Sequence, residues 1–250
     1  MPDPATDLLL SIARCPNVAT CKAGAAPHHC RRIVAVQTGD LDAFQVPEPW
    51  SGRIEQAPIL FLSSNPGITA EERYPRWNWT DDAIADYFTN RFGGGREPWI
   101  LDGNRRLNAD GQHSEARPYW SNIKKRATEI LGRDPVPGVD YALTEVVHCK
   151  SRQEEGVKQA LRECAGRYLR PVLQLSAARV VVAVGLKVRK QLAETLGIRS
   201  EGALAGPLEL AGRERLVLFL GHPAGPKAKT LAACLSADER RMVRAFALGV

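Results

Sequence analysis

Four nearly unbroken apolar runs, each leading into a polar turn, constrain this chain more than any other feature. They are PILFLS (58–63), DYALTEVV (140–147), RVVVAVG (179–185) and RLVLFLG (215–221). Helical spacing covers 81–91, 118–131, 154–175 and 186–196, and a last helix spans about 236–247. A strand that is apolar throughout must be covered on both faces. Such runs alternating with helices therefore predict a parallel sheet between helical layers. The expected fold class is α/β: a three-layer α/β/α domain around a central, mainly parallel, four-stranded sheet. One domain over residues 1–250 accommodates this, since a chain of that length buries a substantial core. RIVAV (32–36) is a further strand-like run. The N-terminal MPDPATDLLLSIAR reads as a helix capped by Asp3 or Thr6, opening a Cys-containing segment, 1–57. Residues 92–117, rich in Gly, Asn and Arg, read as an inserted loop.

In open parallel sheets the working loops follow the carboxyl ends of the strands. Three such loops carry unusual side chains: SSNPG after 58–63, EVVHCKS closing 140–147, and GHPAGPKAKT after 215–221. Asn65 stands in the first, where capping a turn is the structural alternative. His222 stands in the third, where the alternative is a ring satisfied by backbone. Lys227, Lys229 and nearby amides suit phosphates, as do Arg96, Arg105 and Arg106 in the inserted loop. Lys plus Arg exceeds Asp plus Glu by 34 − 28 = 6. That balance is compatible with a polyanionic partner without requiring one. No apolar run approaches the roughly 20 residues needed to span a bilayer. Acidic residues stand where a signal peptide would carry basic ones, so a cytoplasmic location is expected. Six cysteines in such a chain suggest core thiols, metal ligands or redox groups rather than a disulfide framework.

The three loops, in this order, resemble the uracil-DNA glycosylase superfamily. Its first motif often reads Gly-x-Asn-Pro-Gly or Gly-x-Asp-Pro-Tyr, and here it is Ser63-Ser64-Asn65-Pro66-Gly67. Its last motif reads His-Pro-Ser or similar, matched by His222-Pro223-Ala224. TEVVHCKS followed by CAGRYLRPVLQLSAARVVVAVG resembles the iron–sulfur branch, with fourteen residues between Cys149 and Cys164. The resemblance covers roughly residues 8–235 and implies a monofunctional, monomeric enzyme that excises an altered base, uracil foremost, from DNA. Three departures stand out. Ser63 replaces the usual Gly, Glu145 aligns with the Asn that reads the base, and His148 stands at the Lys of the Val-Lys-Cys motif.

The implied chemistry sorts the residues. Breaking an N-glycosidic bond builds positive charge on the sugar and negative charge on the leaving base. Asn65 suits orienting water beside the sugar. His222 suits donating to a pyrimidine O2. Ser63 and Ser64 line the base side, and an extruded base needs an aromatic platform. Trp77 falls at the family distance for that platform, with Tyr74 and Trp79 as substitutes. Glu145 is ambiguous. Ionised, it only accepts, which suits an exocyclic amino group on a modified cytosine or a purine; alternatively it pairs with Arg or Lys and reads nothing. A non-catalytic nucleic-acid-binding protein on the same fold is the rival outside the enzyme class. For the cysteines, the resemblance implies a [4Fe–4S] cluster on Cys149, Cys164, Cys15 and Cys21, with Cys30 as substitute for Cys21. Zinc is the chemical alternative, with His28 and His29 as further donors. Cys234 is assigned to the core.

Overall fold

Strands buried along their whole length dictate the layering. The computed structural model describes residues 3–24, 28–93, 98–223, 225 and 230–250. The chain opens with helices α1 (Pro4–Ala13), α2 (Pro16–Lys22) and α3 (Arg31–Ala35). Strand β1 (Trp50–Ser51) precedes β2 (Ile59–Ser63) and α4 (Asp81–Thr89). A small hairpin, β3 (Ile100–Leu101) and β4 (Arg105–Arg106), leads to α5 (Pro118–Leu131) and β5 (Tyr141–Glu145). Next come α6 (Val157–Cys164), a π-helical turn (Ala165–Leu169) and α7 (Arg170–Leu175). Then follow β6 (Val180–Val184), α8 (Leu186–Leu196), β7 (Leu204–Leu210) and β8 (Arg213–Leu220), and α9 (Leu231–Cys234) and α10 (Ala237–Leu248) close the chain.

The six strands of the main sheet stand in the order β1-β5-β2-β6-β8-β7. β5, β2, β6 and β8 are parallel, while β1 and β7 run antiparallel at the edges. Alternate strand residues feed two cores. Leu60, Leu62, Val181 and Ala183 join α1, α4, α6 and α8 on one face. Ile59, Phe61, Val180 and Val182 join α5 and α10 on the other. From β2 the chain reaches β5 on one side, then crosses to β6 on the other. That reversal opens a crevice at the carboxyl ends.

Three sequence expectations are corrected. The sheet has six strands, not four. β7 escapes notice because Gly206 and Pro207 interrupt it, a feature tolerated only at an edge, and the register shifts between Ala205 and Leu208. Residues 32–36 are not a strand but lie mostly in α3. Ile33 and Val34 are buried while Arg31 and Arg32 are exposed, so the segment fits one helical face and offers no two-faced burial. Part of the 92–117 loop is the β3–β4 hairpin. The π-helical turn has a local cause: Pro171 lacks an N–H and would crowd the carbonyl one turn back, and widening the helix relieves both.

Arg215 holds the far end of the sheet. It is fully buried, and its guanidinium donates to the carbonyls of Ala178 (2.7 Å), Leu210 (2.6 Å), Leu173 (2.8 Å) and Ser176 (2.6 Å). Arg215→Met leaves these acceptors unpaired. It should lower the unfolding free energy by on the order of 3 kcal/mol, seen as a lower urea midpoint at unchanged slope.

Candidate active site

The parallel pairing of β2 with β5 sets Ser63 opposite Glu145. The two loops beyond are laced together. Val146 N–H donates to the Ser63 carbonyl (2.9 Å), Val147 N–H to Ser64 (2.9 Å), Ser151 N–H to Pro66 (3.0 Å), and Ile68 N–H to Ser151 (3.1 Å). β6 delivers Gly185 and β8 delivers His222 to the same edge. A cleft of about 1520 Å³ opens there, lined by Ser63, Ser64, Asn65, Glu145 and His222 among others. The sequence-expected residues from all three strand ends therefore meet in one cavity.

Asn65 turns its Nδ2 onto the Pro66 carbonyl (3.0 Å), and its Oδ1 lies 3.4 Å from Ser64 Oγ. The His222 loop is anchored to α5, where Asn122 Nδ2 donates to the Pro223 carbonyl (2.7 Å). Burial lowers the His222 pKa, with Glu154 pulling the other way, so a neutral imidazole is favoured. Its ring lies 5.8 Å from that of Tyr119, and the Tyr119 hydroxyl hydrogen-bonds Ser63 Oγ.

The aromatic expected from the sequence lies elsewhere. Trp77 packs against the core under the Arg14 guanidinium, 5.3 Å from its ring centroid, and its backbone N–H donates to the Phe44 carbonyl. Tyr74 is buried and Trp79 stacks among Tyr87 and Trp99. The cause is that Arg14, at the end of α1, binds the carbonyls of Trp77 and Trp79 and draws the segment away. None of the three lines the cleft, whereas Tyr119, Trp120 and Phe219 do. The available signal for Tyr119 was Pro118, which starts α5 and fixes its first turn at the cleft rim.

Beneath the cleft lies a buried ionic network that no sequence spacing announces. Arg91 bridges Glu48 Oε1 (2.6 Å) and Glu72 Oε1 (2.7 Å), and Lys150 Nζ donates to Glu72 Oε2 (3.0 Å). Ser51 and Tyr74 also hydrogen-bond Glu48. Burial alone would raise the Glu72 pKa, but Lys150 and Arg91 outweigh it and hold the carboxyl down to about 2. Two cations thus serve two carboxylates. Glu145 sits beside them as a third carboxyl, 6% exposed, with its enclosed Oε2 lacking a hydrogen-bond partner among the described residues. Burial pushes its pKa well above the ordinary carboxylate range, and the Glu48 charge adds to that. Arg91 and Lys150 oppose the shift without reversing it. The neutral form of Glu145 is therefore favoured at the cleft.

The basic residues divide. Arg106 lines the cleft and pairs with Glu71 (3.3 Å), while Arg105 pairs with Asp102 outside it. Arg96, Lys227 and Lys229 lie outside the described residues. Arg117, Lys187 and Arg189 also line the cleft, and the sequence reading had not singled them out.

Four thiols line a separate small cavity: Cys15, Cys30, Cys149 and Cys164. Cys21 is half-buried on α2 and does not line it, so Cys30 takes the place given to Cys21. His148 N–H donates to Cys164 Sγ (3.4 Å), and Asn17 Nδ2 lies 3.9 Å from Cys30 Sγ. Burial, with Cys15 and Cys21 adding, pushes the Cys30 thiol up to about 12. Burial likewise raises Cys149 and Cys164. A thiolate-binding metal would favour the ionised thiolates instead. Donor chemistry and enclosure fit such a group, although among the described residues no three His, Cys, Asp or Glu side chains are drawn into a metal-binding arrangement. His28 and His29 do not line this cavity. Cys234 packs against the second core. Among the described residues, no helix is long and apolar enough to cross a membrane.

The chain matches no protein-family model and no curated protein.

Glu145 gives this site a pH signature. Its folded-state pKa lies above the unfolded value, so its contribution is complete below the unfolded pKa and is lost as pH rises through the folded one. Glu145→Gln cannot ionise. The variant should lose less stability than the parent as pH rises above the ordinary carboxylate range, followed by urea denaturation. Parallel stability curves would show that Glu145 does not titrate in this window.

Proposed function

We propose that this chain is a DNA glycosylase of the uracil-DNA glycosylase type, hydrolysing the N-glycosidic bond of a deaminated or otherwise altered base in base excision repair. The observation that carries this reading is the meeting of Asn65, Glu145 and His222 in one cleft at the carboxyl edge of the sheet. Asn65 lies beside the sugar and orients water. His222, neutral, donates to the base oxygen on which charge accumulates. Tyr119 is the aromatic surface for the extruded base, in place of Trp77. A neutral Glu145 carboxyl offers one donor and one acceptor. That pair suits the O4 and N3–H edge of uracil, much as an amide would. The charge-assisted bond to an exocyclic amino group, which an ionised Glu145 would make, loses its basis. DNA is the partner, held at the rim by Arg106 and Arg117.

Cys15, Cys30, Cys149 and Cys164 would hold a [4Fe–4S] cluster, with zinc as the chemical alternative. Its contribution when bound is structural, tying the N-terminal segment to the loop after β5 and to α6. The chain's own part is the enclosure, with the His148 N–H directed at one sulfur.

Two experiments test this reading. Oligonucleotides carrying a single uracil, modified cytosine or hypoxanthine are incubated with the protein, then cleaved with alkali. Strand scission at uracil is expected. Asn65→Ala and His222→Ala should each lower the rate by about 10²–10³-fold. No scission at any altered base would sink the glycosylase reading. Purified under anaerobic conditions, the protein should be brown, absorb near 400 nm, and contain about four irons per chain. Colourless protein with stoichiometric zinc would replace the cluster with a zinc site.

A further inference from the structure

Asn65 leaves a gap in this chemistry: an amide orients water but does not accept its proton at neutral pH. Glu154 stands next to that gap. Its Oε1 lies 3.1 Å from Ser64 Oγ, and the same hydroxyl lies 3.4 Å from Asn65 Oδ1. The one Ser64 hydroxyl hydrogen can serve either acceptor, the carboxylate being the nearer, so Ser64 sits between the carboxylate and the amide. Glu154 lines the cleft, as does His222. Lys187, from the start of α8, closes an ion pair on its other oxygen. One carboxylate is therefore held among the loops that follow β2, β5, β6 and β8.

The backbone is bent to put it there. Gln153 and Glu154 both occupy the left-handed region, at φ 49° and 60°, and Gly156 follows at 75°. Two successive side-chain-bearing residues in that region are disfavoured and persist only where surrounding contacts hold them. Those contacts are present. Ser151 Oγ donates to the Glu155 carbonyl (2.7 Å), and the Ser151 backbone is bonded to Pro66 and Ile68. Gly156 lies so close to the Ile33 backbone that a side chain there would collide with it. A surface salt bridge needs none of this, since long side chains on relaxed backbone pair freely.

We propose that Glu154 is the general base of the reaction, accepting a proton from the water that attacks the sugar. This rests on the glycosylase reading. The bond from C1′ to the base nitrogen breaks, and its electron pair leaves with the base, whose oxygen His222 stabilises. The water oxygen forms the new bond to C1′, and its proton passes to Glu154. The departed base takes up a proton, Glu154 returns its own to solvent, and the sum is base plus a hydroxylated sugar. Ser64 and Lys187 act as positioning residues: Ser64 fixes the carboxylate beside Asn65, and Lys187 keeps it ionised. Consistent with this, the Lys187 ammonium beside Glu154 holds its carboxyl below the usual range. Half exposure of both side chains softens that effect and also gives water access.

The test compares wild type, Glu154→Gln and Lys187→Met on the altered base that the wild-type protein cleaves, under single turnover and across pH. Removing a general base should cost about 100-fold or more in rate. Binding of the same oligonucleotide by Glu154→Gln should stay within about threefold. The wild-type rate should fall at acid pH as Glu154 is protonated, and that limb should vanish in Glu154→Gln. In Lys187→Met it should move to higher pH, which a merely structural ion pair would not do. Glu154 is exposed, so equal thermal midpoints for Glu154→Gln and wild type would exclude misfolding. An active wild type with Glu154→Gln within about threefold of its rate, acid limb intact, overturns the role of Glu154 while leaving the glycosylase reading standing. A wild type that cleaves no altered base removes both.

Discussion

Arg91 is 1% exposed and divides its guanidinium between Glu48 and Glu72, and the chemistry above it depends on that division. A buried cation with one hydrogen-bonded carboxylate is costly to desolvate, and two partners with Lys150 alongside offset that cost. The network joins the segment before β1, the segment after β2, the turn after α4 and the loop after β5. It therefore fixes four chain segments under the cleft at once. It also uses up the local positive charge. Glu145, arriving at the end of β5, finds two cations already claimed by two carboxylates. Its ionised form would be a fifth buried charge without a counterpart. Burial first and the Glu48 charge second thus favour the neutral form of Glu145, and Arg91 and Lys150, already shared with Glu48 and Glu72, oppose this without reversing it.

The sheet was legible because apolar continuity is a strong signal. β2, β5 and β6 lie within the runs expected from the sequence, β8 begins two residues before its run, and each helix between them was anticipated. The edges were less legible. β1 has two residues and no pattern, and β7 carries a Pro that argues against a strand anywhere but an edge. Residues 32–36 misled because Ile and Val favour strands only when a pleated surface is available to receive them. At the site, Asn65, Glu145 and His222 could be found from the loops that follow strands. The buried network could not, because Glu48, Glu72, Arg91 and Lys150 are related only by the fold. Trp77 failed for a similar reason. Its distance along the chain from Gly67 suited the cleft, but Arg14 at the end of α1 sets where that distance leads.

The cysteines illustrate the same limit. The spacing of Cys149 and Cys164 follows from one loop and one helix and could be seen in the sequence. The N-terminal partner depends on how α2 and α3 fold back. α2 places Cys21 beside the cavity, and the start of α3 places Cys30 on it. The π-helical turn directly after Cys164 also has its origin in Pro171, seven residues on. A feature with a plain steric cause thus sits at the edge of the thiol cavity, where it sets the direction of the helix that carries Cys164.

Two carboxyls of the cleft are set apart by their surroundings. Glu145 and Glu154 both follow from β5 and lie nine residues apart in sequence. One is enclosed, its Oε2 without a hydrogen-bond partner among the described residues, and next to Glu48, so its neutral form is favoured. The other is half open, hydrogen-bonded by Ser64 and paired with Lys187, so it loses its proton readily. When environments push two acids in opposite directions, one can donate and the other accept at the same pH. In the proposed reaction, a cleft built this way binds an uncharged base edge at one end and takes a proton from water at the other. Exchanging Asn65 for a stronger base is then unnecessary. On that proposal the amide needs only to hold water in line, because Glu154, the proposed base, reaches the cleft from the loop after a different strand, β5.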